Sequence, residues 1–173
     1  MRRLRVAFAA ITLAWTATLA WADAPRRPPR RVEVVSPSGL YLAVSDPESG
    51  STEVRPTDGK GESWKLDGYF SVLAVADDGR HLAIGYEGGN LVPTDVSRDL
   101  VLVRFFDRGH LTAKITFGDL FSDARKIPET ASHRHWGHMD GFDTQNSFWL
   151  ELFEGTRRAF DPTTGAAIPS AKD

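Results

Sequence analysis

Three of the chain's five histidines fall within six residues, as His133, His135 and His138 of "SHRHWGH", with Arg134 and Trp136 between them. Imidazole is the commonest side-chain metal ligand, and residues i and i+2 of a strand face the same way about 7 Å apart. His133 and His135 could therefore share one Zn2+ or Cu2+. Strict alternation sends His138 to the other face unless Gly137 opens a bulge, and Asp140 or Asp143 would then offer a fourth ligand. Two other readings stand beside the metal. In one, the stretch is an ordinary surface strand and turn with Trp136 packed on the core. In the other it is a recognition patch, where Trp136 stacks on a sugar ring or a cation while Arg134 and the imidazoles supply polar contacts.

The spacing H-x-H-x-x-H resembles the zinc motif of the metallo-β-lactamase superfamily. Those enzymes carry Asp just before the last histidine, where this chain has Gly137, and they draw further His and Asp ligands from downstream. No histidine follows His138, and the alternating α/β layers of that family are missing. A catalytic zinc centre of that kind is not expected, and no cofactor is assigned. A second stretch, "GYEGGNLVP" (85–93), has three glycines and Asn90 that could form a backbone anion nest. It lacks phosphate-loop spacing and the Lys-Ser/Thr that follows such glycines. It reads as a hairpin connector, with Tyr86, Glu87 and Asn90 at the rim of any pocket. Nucleophilic catalysis finds little support: there is no cysteine and no G-x-S-x-G elbow, and Ser36, Ser38, Ser45, Ser49 and Ser51 lie among turn residues. Asp77 and Asp78 read as solvated turn formers, and Glu151 and Glu154 as cross-strand partners of Arg157 and Arg158. No catalytic residue is assigned.

The elements that must hold these side chains are short extended segments. Beyond Arg31 the chain is rich in Val, Ile, Leu, Phe and Tyr and is broken every 8 to 12 residues by turn formers. "VSPSGLYLAVSD" (35–46) aligns without a gap on "VADDGRHLAIGY" (75–86), forty positions on. The physical reading is a strand, a polar turn whose glycine takes positive φ, and a strand returning beside the first. "LAV" and "LAI" then read as strands buried on both faces. A weaker third copy, "FDTQNSFWLEL" (142–152), has Asn146 where the others have glycine, and Asn is the next most tolerant of positive φ. Strands are expected near 32–35, 40–45, 52–55, 63–66, 70–76, 81–86, 101–106, 110–117, 147–153 and 157–161. Between the second and third copies, apolar residues at 120, 121, 124 and 127, ended by Pro128, predict one short helix over 118–127.

A forty-residue period with an S/D-x-x-G turn before a buried strand resembles the blade repeats of β-propellers, especially those of exported bacterial proteins. The resemblance implies four-stranded meanders and brings no activity with it. Closed propellers use about 4 to 8 blades, and this chain holds three at that period. The expected fold is a single all-β domain over 32–168 of antiparallel blade-like meanders, as a partial propeller or a sandwich. Open strand edges would invite pairing with another chain, including a second copy as a homo-oligomer.

The first residues speak to compartment. Arg2, Arg3 and Arg5 precede an uncharged run from Val6 to Trp21, and Ala20-Trp21-Ala22 supplies a small-x-small cleavage pattern. This predicts a signal peptide over 1–22, export to the periplasm or beyond, and no transmembrane segment in the mature chain. Residues 23–31, with "APRRPPRR", read as an extended Pro/Arg linker, and 169–173 as a tail. Removing the three arginines takes the net charge from −2 to about −5, which argues against nucleic acid as a partner. The expected function is a non-enzymatic exported β-protein that binds a protein or glycan partner. The alternative is a small metal-binding protein or metallohydrolase organised on His133, His135 and His138.

Overall fold

The computed structural model describes residues 28–169, and all statements below concern these. The expected signal peptide, most of the linker and nearly all of the tail lie outside them. The fold is all-β. Strands β1 (Val32–Val35), β2 (Tyr41–Asp46), β3 (Ser51–Pro56) and β4 (Trp64–Asp67) pair in chain order as an antiparallel meander, sheet 1. Sheet 2 begins with β5 (Leu73–Val75) and β6 (His81–Gly85); after a connection carrying β7 (Leu91–Pro93) it continues with β8 (Val101–Asp107) and β9 (His110–Thr116). A second connection carries β10 (His133–His135), which pairs with β7 as a two-stranded ribbon. Sheet 3 is β11 (Gly137–Phe142), β12 (Phe148–Leu152), β13 (Arg157–Phe160) and β14 (Ala167–Ile168). The three four-stranded meanders do not close into a barrel. No helix among the described residues is long and apolar enough to cross a membrane.

The three repeat turns fold alike. Gly39, Gly79 and Asn146 take φ of 76°, 65° and 63°, the left-handed conformation that the tight reversal requires. The turns also bond to one another. Ser38 donates its backbone N–H and hydroxyl to the Asp77 carboxylate (2.8 and 2.6 Å), and the Asp78 N–H donates to Asn146 Oδ1 (3.2 Å).

Sheet 2 lies between the other two because its strands are apolar on both faces. Leu73, Val75, Leu82, Ile84 and Phe106 pack toward Ala43 and Val54 of sheet 1. Ala74, Ala83, Phe105 and Ile115 point the other way, toward Phe148, Leu150, Leu152 and Phe160 of sheet 3. The rings of Phe105 and Phe148 meet edge to face, 4.9 Å between centroids. Each fully buried Leu, Ile or Phe here contributes about 1.5–3 kcal/mol of transfer free energy.

The helix expected over 118–127 is shorter and broken. Helix α1 covers only Phe117–Leu120, Phe121 is extended (φ −130°), and a single 3-10 turn follows over Ala124–Lys126. The break has a local cause. Asp119 turns back to accept the Thr116 N–H (2.7 Å), and Asp123 accepts the Arg125 N–H (3.0 Å), so side chains satisfy the backbone one turn at a time. Phe117, Leu120, Phe121 and Ile127 all reach the core between sheets 2 and 3 without needing one continuous helical face.

Candidate binding site

The histidine stretch is divided between two sheets. In β10, His133, Arg134 and His135 lie opposite Pro93, Val92 and Leu91 of β7. The chain leaves the ribbon at Trp136 and enters sheet 3 at Gly137, whose φ is +139°. A Cβ at Gly137 would collide with the Glu151 carbonyl, so glycine here is a joint between sheets instead of the expected bulge within one strand. His133 is exposed, with Nδ1 2.8 Å from the Ser132 hydroxyl. His138 belongs to β11, opposite Glu151.

Several of the singled-out side chains are occupied by the fold. Trp136 is 1% exposed and donates Nε1–H to the Gly89 carbonyl at 2.8 Å, so its ring is closed to an external sugar or cation. Arg134 donates Nε to the Thr94 carbonyl and Nη1 to the Ile127 carbonyl, both at 3.1 Å, and its Nη2 lies 2.8 Å from Glu129. It staples the ribbon to the segment before it. The Glu87 carboxylate accepts the N–H and hydroxyl of Ser71, which ties the glycine-rich connector to the start of β5. Asp78 is only partly solvated, its side chain 25% exposed. It accepts the N–H groups of Arg80 and His81 and sits 2.6 Å from His81 Nδ1, while His81 Nε2 lies 3.4 Å from the Thr163 hydroxyl. Burial would raise the Asp78 pKa, but hydrogen bonds from the His81 ring and the His81 and Arg80 amides outweigh it and hold it at about 2. The order Thr–His–Asp is that of a catalytic triad. Yet the His81 side chain is only 11% exposed, and 3.4 Å exceeds the about 2.6–3.2 Å reach of a nucleophile–base pair. The three side chains link sheet 2 to the turn after β13.

Other candidates do meet. Tyr86 and Asn90 from the glycine-rich connector join Trp136, His138, Val72 and Met139 around a cavity of about 150 Å3. That is room for about five waters. The larger concavity is elsewhere. Strands β1, β5 and β11 are each the first of their sheet, each has one paired neighbour in its four-stranded sheet, and β5 touches both of the others. Between them runs a groove of about 460 Å3. Val34, Val35 and Pro37 wall it from sheet 1, residues 71–75 from sheet 2, and Met139 to Phe142 from sheet 3. Asp140 is the one ionisable side chain in that lining, and Val35 is 54% exposed beside it. No protein-family model matches this chain, and no curated protein matches it either.

The groove escaped motif reading because, Asp140 apart, its lining carries no ionisable or nucleophilic pattern beyond a single serine. Its signal was positional: the wall strands are the residues just ahead of each repeat turn, 32–35, 73–75 and 137–142. Glu151, read as a partner of Arg157, does lie opposite it in register, but the Arg157 guanidinium is directed to Asp140, with Nε 2.8 Å from Oδ2.

Proposed function

We propose that this protein is an exported, non-enzymatic recognition module that holds an extended segment of a partner polypeptide in the groove between β1, β5 and β11. The observation that carries this reading is the meeting of three first strands, each paired on one side in its sheet, along one concavity whose walls mix exposed backbone with apolar side chains. A free strand edge offers backbone donors and acceptors to an extended chain, and apolar walls accept alternate side chains from it. A polypeptide is favoured over a glycan because Trp136, the aromatic platform in the histidine stretch, is buried. Kinship with propeller blades is supported by three consecutive four-stranded meanders with their first strands together. Three such sheets fall short of the about 4 to 8 of closed propellers, which leaves the groove open. Export is supported by the basic start, apolar run and Ala20-Trp21-Ala22 of the sequence.

The test is selection of random dodecapeptides on the tag-free mature chain, followed by amide chemical-shift mapping of the selected peptides. Perturbations should centre on β1, β5 and β11, and Val35→Asp should abolish binding with the fold intact. Peptides that map to another face, or that bind Val35→Asp as well as the parent, would remove the proposal.

A further inference from the structure

We propose a divalent transition-metal site on the outward face of sheet 3, built from His138, Asp140 and Glu151. His138 and Asp140 stand two residues apart on β11, and Glu151 on β12 lies directly opposite His138. The ladder shifts register between Met139 and Gly141, a bulge that leaves Asp140 without a cross-strand partner. One imidazole nitrogen and one oxygen from each carboxylate lie within 4.8 Å of one another. His138 Nε2 is already 3.1 Å from Asp140 Oδ1. Ligand bonds of 2.0–2.2 Å in a tetrahedral site put adjacent donor atoms about 3.4 Å apart. The His–Asp pair therefore fits as it stands, and Glu151 needs only a side-chain rotation.

What surrounds the three groups favours an ion over an ordinary surface ion pair. Arg157 Nε engages the other oxygen of Asp140, Oδ2, at 2.8 Å and leaves Oδ1 facing His138. The Arg157 guanidinium lies over the Trp149 ring, 4.9 Å from its centroid, and Trp149 Nε1–H is held by Asp143 Oδ2 at 2.8 Å. Such outer partners orient a ligating carboxylate and hold it ready. Two carboxylates, Asp140 and Glu151, lie beside the one guanidinium of Arg157, which cannot neutralise both. One nitrogen and two oxygens suit Zn2+ and its neighbours better than a purely oxygen-seeking ion, and they leave a position open to water. His133 and His135, on the separate ribbon, have no part in it.

Isothermal titration of the tag-free mature protein with ZnCl2 at neutral pH tests this. One ion per chain at micromolar affinity is expected. His138→Ala and Glu151→Gln should each weaken it more than about tenfold, the least that even outer-partner losses cost, while the double variant His133→Ala/His135→Ala leaves it unchanged. Glu151→Gln keeps shape and faces solvent, so far-UV circular dichroism on it separates lost ligation from lost folding. In parallel, Cu2+ should broaden the His138 ring proton resonance before those of His133 and His135. Absence of saturable binding, or binding lost with His133 and His135 and kept without His138, would overturn the site.

Discussion

Strands β2 and β6 carry the same motif after the same turn, yet they meet different surroundings. In β6, Leu82, Ala83 and Ile84 are all 0% exposed. In β2, Ala43 is 0% exposed, Val44 is 8% exposed and Leu42 is partly exposed. The cause is the number of neighbours. Sheet 2 has a sheet on each face, whereas sheet 1 has one and turns Glu33, Glu53 and Lys65 outward along the ladder that passes through Val44. Sheet 3 likewise ends the stack on a polar face of His138, Asp140, Glu151 and Arg157. A local sequence can therefore specify a strand without specifying how many of its faces are covered. Charged residues at alternate positions of the end sheets cap the stack, as polar terminal repeats do in other stacked-repeat folds.

The comparison can be broken most forcefully at the leucines. Leu82→Ala should cost about 3 kcal/mol or more, as a filled site between two sheets becomes a cavity, and Leu42→Ala about 1 kcal/mol. Urea unfolding of the two variants measures the gap, and equal losses would mean that β2 is as enclosed as β6. The turns give the next contrast. Gly39→Ala meets open space and suffers only the left-handed strain, about 1–2 kcal/mol, whereas a Cβ at Gly79 would collide with the Tyr41 ring. Gly79→Ala should therefore lose about 3 kcal/mol once the overpacking is added. Thermal melts side by side check the order.

The smallest effect is in acid. The turn of sheet 1 has Ser38 where sheet 2 has Asp78, so only the second can titrate at that position. Asp78 has a folded pKa of about 2 against 3.8 as its ordinary value. A depressed carboxylate pKa gives stability that is fully present above about pH 4 and fades as the pH falls toward 2. Asp78→Asn should make the acid arm of a stability-against-pH curve shallower between those values. An unchanged arm would show that the ionised Asp78 carboxylate adds nothing to folding.

Much of the scaffold was legible in the sequence. The forty-residue repeat located two hairpin turns, and Asn146 identified a third through its tolerance of positive φ, which its 63° bears out. Strand β1 spans the very residues expected, and most other expected strands begin and end within a residue or two. The ribbon of β7 and β10 was missed in part because three-residue strands show no periodicity. Reading "SHRHWGH" as one strand failed for a different reason: strand geometry cannot reveal that Gly137 hands the chain to another sheet. The convergence of Glu151 on His138 depends on the register of β11 against β12, and the bulge at Asp140 depends on packing, neither of which a spacing rule contains.

Native-state hydrogen exchange tests the stacked arrangement most directly. Amides of β6 and β8 should exchange last, at the rate set by global unfolding, with β2 and β12 exchanging measurably sooner. Equal protection in all three sheets, or protection in sheet 1 that outlasts β6, would contradict a middle sheet enclosed by its two neighbours.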